Sequence, residues 1–228
     1  MAIEAIEAMG IHLCLFTETK LDDDIYTRSC KGYRVVATRA VSSRQGGVAL
    51  VYRENSFFQV EAIQCHGPNV MGWELVTGDR RYPMCGVYIP PADVTTLDQV
   101  RGYLNSLPAR AEPLLLGDLN VDLSSPASVE RDEAIAAEMA AHGFQDLLLR
   151  YMQRRRFHHR QTWSQRRNGM RVAARCDYIL GVNPKTVDYV VIRAPRLFTS
   201  DHFLVRATLR SAPKRDNLPG CVQAQAGE

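Results

Sequence analysis

The chain has 228 residues, 28 Lys+Arg against 25 Asp+Glu for a formal net charge of +3, with 46% hydrophobic and 23% charged residues. That length suits one large domain, or at most two small ones, with a substantial core, and the composition lies far from the low-apolar, high-charge signature of disorder. No apolar run approaches the roughly 18 to 20 residues needed to span a bilayer, and the start MAIEAIEAMG lacks a basic region followed by an apolar one, which argues against membrane insertion and classical secretion.

Along the chain, Ile3, Ile6 and Met9 recur at helical spacing over 2–9, and Gly10 ends that helix. IHLCLF (11–16) is a short apolar run, read as a buried strand that leads into the polar Thr17, Glu18, Thr19 and Lys20. Strand-like segments follow at 33–40, 46–53, 57–63, 72–77 and 84–89, separated by Gly, Pro, Asn and Asp, and their spacing predicts an antiparallel meander. Residues 94–107 read as a helix with Val94, Leu97, Val100, Leu104 and Leu107 on one side. PLLLGDLN (113–120) then repeats the buried strand with a polar exit. A second amphipathic helix spans 128–143, from Ser128 through an acidic first turn to Gly143. Three more strands are expected at 174–181, 187–192 and 203–209, and the stretch from Ser211 reads as a linker or disordered tail. No internal repeat is found. Helices at both ends of a strand-rich middle indicate a mixed α/β domain over 1–210, with 211–228 outside it.

The small net charge conceals a division. Arg150, Arg154, Arg155, Arg156, Arg160, Arg166, Arg167, Arg171 and Arg175, with His158 and His159, fall in a stretch without an acid between Asp146 and Asp177, leaving 19 basic against 25 acidic residues elsewhere. Clustered arginines read as a polyanion-binding surface, because the guanidinium fork suits phosphate oxygens and the cluster releases counterions on contact; the alternative is a solvated loop. Trp163, inside this stretch, either stacks on a base or covers the sheet, the commoner use. The six cysteines show no CxxC spacing and read as free, mostly buried thiols in a reducing compartment.

Four apolar strands run out into polar, mostly acidic residues: Glu18, Asp118 with Asn120, Asp177, and Asp201 with His202. Strand ends of this kind line active sites, and residues two apart in an extended chain share a face, as Asp118 and Asn120 do. Several carboxylates, one histidine and no cysteine ligand suit a hard ion such as Mg²⁺ or Mn²⁺, which implies phosphate chemistry. Singly, each has a structural reading: an Asx turn for GDLN, a loop for SDH, a surface position for Glu18.

In order, TET (17–19), VYIP (87–90), GDLN (117–120), TW (162–163), CDYIL (176–180) and SDH (200–202) resemble the successive motifs of the endonuclease/exonuclease/phosphatase superfamily. RQGGVALVY, the TW segment and the DYIL spacing are most similar to the endonuclease domains of non-LTR retrotransposons, and the resemblance runs from residue 1 to about 210. It implies an α/β fold of two packed mixed, largely antiparallel β-sheets flanked by helices, a four-layer sandwich, with the first strand missing. It further implies that Glu18 binds Mg²⁺ (or Mn²⁺) with Asp201 contributing, and that Asp118 orients or deprotonates the attacking water. Asn120 would hold a phosphate oxygen or that water. His202 would donate to the scissile phosphate, Asp177 would fix and charge its imidazole, and Tyr88 would contact the phosphate. Thr162 and Ser200 would support the site or touch DNA, and Arg154, Arg155, Arg156, Arg160, Arg166 and Arg167 would meet the duplex backbone.

The chain departs from that pattern in two places. It opens at the helix that, in the family, follows a strand ending in Asn, so weaker metal binding and an exposed sheet edge are expected. Pro91 stands where relatives often carry Asn. The implied function is a metal-dependent DNA nickase of a retrotransposon-type element, acting inside the cell, in nucleus or cytoplasm, on duplex DNA without membrane or partner protein. The alternatives are a phosphatase or phosphodiesterase acting on small or lipid phosphates, and a truncated relic that at most binds nucleic acid.

Overall fold

The computed structural model describes residues 2–22, 26–93, 95–124, 129–149, 161–168, 170–193 and 200–210. Helix α1 (Ala2–Ala8) leads through the left-handed Gly10 into β1 (Leu13–Thr17). β1 pairs antiparallel with β4 (Val48–Arg53), β4 with β3 (Tyr33–Ala37), and β3 with β2 (Tyr26–Cys30), making a four-stranded sheet in the order β1-β4-β3-β2. A six-stranded sheet contains β5 (Gln59–Gly67), β6 (Val70–Thr77), β7 (Arg80–Tyr88), β8 (Leu114–Asp118), β9 (Gln145–Asp146) and β12 (Asp177–Gly181), in the order β5-β6-β7-β8-β12-β9. The meander expected from spacing is thus two meanders, one in each sheet. Residues 54–58 carry the chain between them, and Phe58 turns into the core that the sheets share.

Period-two alternation sorts the strand side chains into layers. In the first sheet, Val48 and Leu50 face the second sheet, while Val51 joins Ile6, Ile11, Cys14 and Tyr33 under α1. In the second, Met84, Tyr88, Leu114 and Ile179 face the first sheet; Cys85, Val87, Leu115, Tyr178 and Leu180 face α2 (Thr95–Ser106) and α3 (Glu130–Ala141). The result is a helix, two sheets and a helix pair in four layers, around the buried Trp73, Met71 and Leu50. Each large apolar side chain so buried stabilises by about 1.5–3 kcal/mol.

Four strands were not legible in the sequence: β2, β9, and the two of the hairpin, β10 (Trp163–Arg167) and β11 (Met170–Ala174). YTRSC and WSQRR carry too few apolar residues for an alternation signal. Helix α3 begins at Glu130 with Val129 as an N-cap that makes no side-chain cap bond, and Glu130, Asp132 and Glu133 in its first turn favour the helix dipole. The expected capping Ser128 lies outside the described residues, as do Arg150, Arg154, Arg155, Arg156, Arg160, both neighbouring histidines and the stretch 211–228. β13 (Val187–Arg193) and β14 (Leu204–Leu209) form a separate antiparallel ribbon whose Val190, Val205 and Ala207 pack on the inter-sheet core.

One register positions the chemistry. β7 and β8 run parallel with Tyr88 opposite Asp118, and β12 runs antiparallel to β8 with Asp177 opposite Asp118. The close approach needs Gly117, at φ 145°, where any Cβ would overlap the Val87 carbonyl. No helix among the described residues is long and apolar enough to cross a membrane.

Candidate active site

Residues paired across adjacent strands project from the same face, so Tyr88, Asp118 and Asp177 form a row at one end of the six-stranded sheet. Asp118 is 3% exposed. Its Oδ1 accepts the Asn120 backbone N–H at 2.9 Å and its Oδ2 accepts the Asn120 amide Nδ2 at 3.2 Å. That closed turn needs Asn120 in the left-handed region, φ 50°, which Asn tolerates better than most residues. The same amide donates to the Ile89 carbonyl at 3.1 Å. Both amide hydrogens are thereby committed, and in this geometry Asn120 holds the Asp118 carboxylate in place.

Asp177 is held by Thr162, whose hydroxyl accepts the Cys176 and Asp177 backbone N–H groups at 2.9 and 3.0 Å. Its Oδ2 lies 2.9 Å from His202 Nδ1, and His202 Nε2 lies 4.0 Å from Asp118 Oδ2. The ring therefore stands between two carboxylates, with Nδ1–H donated to Asp177 and Nε2 turned toward the site. The 200–203 segment is carried by β10: Ser164 N–H donates to Asp201 O at 3.1 Å, Phe203 N–H to Thr162 O at 2.6 Å, and the Trp163 indole N–H to Asp201 Oδ2 at 2.6 Å. Trp163 is thus neither simply core nor simply a stacking platform; it fixes an acid of the site. Ser200 Oγ accepts the His202 N–H at 3.1 Å.

Glu18 occupies a left-handed turn, φ 56°, exposed, with Lys20 Nζ 3.7 Å from its carboxylate. Its Oε1 accepts the Tyr88 hydroxyl at 3.2 Å. The turn is pinned by Thr19 N–H to Gly47 O at 3.2 Å and Lys20 N–H to Gly46 O at 3.0 Å, and Gly47 N–H donates to the buried Asn69 Oδ1 at 3.0 Å. At Gly47, φ 88°, an added Cβ would collide with the Thr19 hydroxyl. Gln45 completes this side by hydrogen-bonding the Tyr88 phenol.

The electrostatics follow from burial and crowding. Burial first, then the charge of Asp177, pushes the Asp118 carboxyl up to about 7. Burial disfavours the His202 cation, but the Asp177 hydrogen bond and charge, with Asp118 and Asp201 behind, overcome it and push the ring up to about 9. Burial, reinforced by Glu18, raises the Tyr88 phenol, which stays protonated and a donor.

For a metal, ligand atoms of Asp118, Asp177 and His202 lie within 4.8 Å of one another, Glu18 is near enough to act on Asp118, and Asp201 on His202. The Cys176 thiol is pushed up to about 12 by burial and the surrounding carboxylates, so it stays protonated. The remaining donors are mostly carboxylate oxygens, a set that fits a hard divalent cation better than zinc.

The fold thus gathers Glu18, Tyr88, Asp118, Asn120, Asp177, Asp201 and His202 around one end of the sheets. Thr162 is fully buried, and its hydroxyl supports the backbone at Cys176 and Asp177. Arg166 is exposed on β10, opposite Arg171 of β11, and Arg167 ends β10 opposite Met170. Arg175 leaves the basic surface: it is 3% exposed, paired with Asp146 at 2.5 Å, with its guanidinium 4.8 Å from the Tyr178 ring centre. Sequence reasoning missed Asn69, Gln45 and Arg131; RQGG was a signal for Gln45, whereas an arginine in an acidic helical turn reads as surface.

No protein-family model matches the chain, and no curated protein matches it in sequence. Solved structures do. The endonuclease domain of TRAS1, a telomere-specific non-LTR retrotransposon, superposes with a TM-score of 0.70 at 16% identity, covering 92% of this chain and 90% of that one. An AP endonuclease from Leishmania major gives 0.66 at 17%, covering 92% and 81%. An endonuclease/exonuclease/phosphatase family protein from Leptotrichia buccalis gives 0.62 at 13%, covering 92% and 91%. The fold is that of endonuclease/exonuclease/phosphatase-type proteins over nearly the whole chain.

Proposed function

We propose that the chain is a divalent-metal-dependent phosphodiester hydrolase that nicks DNA, the endonuclease of a retrotransposon-type element. The observation that carries this reading is the Asp177–His202–Asp118 alignment, set in a fold shared with two named endonucleases. Asp118, with a proton affinity near neutral, takes the proton of an attacking water, and Asn120 keeps its carboxylate aimed. His202, cationic at neutral pH, donates from Nε2 to the scissile phosphate as negative charge builds, and Asp177 keeps Nδ1 protonated. The Tyr88 hydroxyl orients Glu18 and lies beside the phosphate. Mg²⁺ or Mn²⁺ bound by Glu18, with Asp201 contributing, would supply charge stabilisation at the phosphate oxygens.

Duplex contact falls to the arginine stretch. Arg166 and Arg171 face each other across the β10-β11 ribbon, a like-charge pair that costs stability until phosphates lie against it. Arg154, Arg155, Arg156 and Arg160 extend the same basic stretch in sequence, and Ser200 adjoins the site. The catalytic domain is 1–210, and the enzyme works inside the cell.

Supercoiled plasmid and a soluble inositol phosphate, each offered with Mg²⁺, Mn²⁺ or EDTA, test the reading. Open-circular plasmid with either metal, none in EDTA, and slow monoester turnover are expected. Faster turnover of the monoester would make the chain a phosphatase of the same fold, and plasmid binding without hydrolysis would make it an inactive nucleic-acid binder.

A further inference from the structure

We propose that Arg131 is the positioning residue that locks the two loops of the site to each other. It stands in the first turn of α3, with a side chain only 11% exposed and Nη1 paired to Asp132 Oδ1 at 2.6 Å. Its guanidinium donates to four backbone carbonyls: from Nη1 to Asn120 O at 3.3 Å, and from Nη2 to Pro90 O at 3.1 Å, Leu119 O at 3.1 Å and Ile89 O at 3.3 Å. Two of those carbonyls follow Tyr88 directly, and two follow Asp118. Ile89 O also accepts the Asn120 amide, so guanidinium and amide converge on one oxygen between the loops.

The chemistry of the side chain suits this task. Carbonyls of two converging loops point at a common centre, repel one another and need donors when buried. A planar group with several fixed donors serves them together, while its neutralisation by Asp132 removes the cost of a lone buried charge. Lysine, with three donors on a flexible stem, reaches some of these oxygens without fixing their relative angle. Arg131 therefore acts through the backbone: it sets the separation of the Tyr88–Pro90 and Asp118–Asn120 segments, and with it the aim of Asp118 toward substrate. As a role in DNA hydrolysis the inference rests on the function proposed above; as a role in ordering the loops it does not.

Two readouts on Arg131→Lys and Arg131→Gln separate these. Hydrogen–deuterium exchange of the metal-free protein reads the loops alone: the amides of Tyr88, Ile89 and Ala92 and of 118–122 should exchange at least about tenfold faster in both variants, with the β6 amides unchanged. Plasmid nicking reads the chemistry: kcat should fall about 10- to 100-fold with KM for DNA within about twofold, since a small misalignment of reacting groups costs rate and not binding. Arg131→Lys should retain more kcat than Arg131→Gln. If Arg131→Gln does not fold, Arg131→Lys alone decides. Unchanged exchange at both loops, or a loss confined to KM, overturns the proposal. A wild type that nicks no plasmid overturns the endonuclease reading instead, and exchange still decides the role of Arg131.

Discussion

His202 stands between Asp177 and Asp118, and its charge state ties stability to pH. Its folded value of about 9 exceeds the ordinary 6.5, so the stabilisation from this charge is fully present below pH 6.5 and is lost as pH rises through about 9. In metal-free Asp177→Asn the hydrogen-bonded carboxylate is gone while burial still disfavours the cation, so the ring should titrate well below the wild-type midpoint. Ring-proton shifts followed against pH measure this; an unmoved midpoint would show that Asp177 does not set the charge. Thr162 poses a steric twin of the question. Thr162→Val keeps the shape but leaves the Cys176 and Asp177 N–H groups buried without their acceptor, a loss of about 1–3 kcal/mol visible in urea unfolding. Nicking should fall with it, and a variant as stable as wild type would contradict the assignment.

Elements aim these residues more than loops do. Tyr88, Asp118 and Asp177 are neighbours because β7, β8 and β12 pair in one register, and the register depends on Gly117 allowing β7 and β8 to close. Gly117→Ala should push the strands apart, lower the melting temperature and abolish nicking together; a soluble variant with wild-type melting would refute the close-approach argument. Gly47→Ala strains the turn that carries Glu18, so it should lower the melting temperature by less than Gly117→Ala does and raise the Mg²⁺ concentration needed for half-maximal nicking. The strands that place the site were legible because each is an apolar run with a polar residue at one end, as in LLLGD and DYILG. β2 and the β10-β11 hairpin were not, because their side chains face solvent or charge on most positions and leave no alternation to read. The division of one expected meander into two sheets was also hidden, since spacing fixes which segments are strands and not which sheet they join.

At the scale of the molecule, the near-neutral net charge separates into a carboxylate-rich site and an arginine-rich stretch of sequence, of which Arg166 and Arg171 are exposed among the described residues. Arg175 shows the limit of counting charges along a chain, because a buried ion pair with Asp146 takes it away from solvent. The catalytic candidates Glu18, Asp118, Asp177, Asp201 and His202 were legible as a set because chemistry-bearing residue types recur at strand ends, and Tyr88 came only through the family resemblance. Some of their supports were not, since Arg131 and Asn69 act through contacts between segments that are apart in sequence. Replacing Arg166 and Arg171 with Ala should weaken plasmid binding alike for all sequences and flatten its dependence on salt by about one unit of log–log slope per lost phosphate contact. An unchanged slope would take the hairpin out of the interface.

The central claim, a metal-assisted nick made by Asp118 and His202, is tested most directly by the rate at which supercoiled plasmid becomes open circular in Mg²⁺, for wild type, Asp118→Asn and His202→Ala at matched folded concentration. The account predicts nicking by the wild type and a loss of at least about a hundredfold in each variant, with plasmid binding retained. Nicking at the wild-type rate by either variant would contradict it.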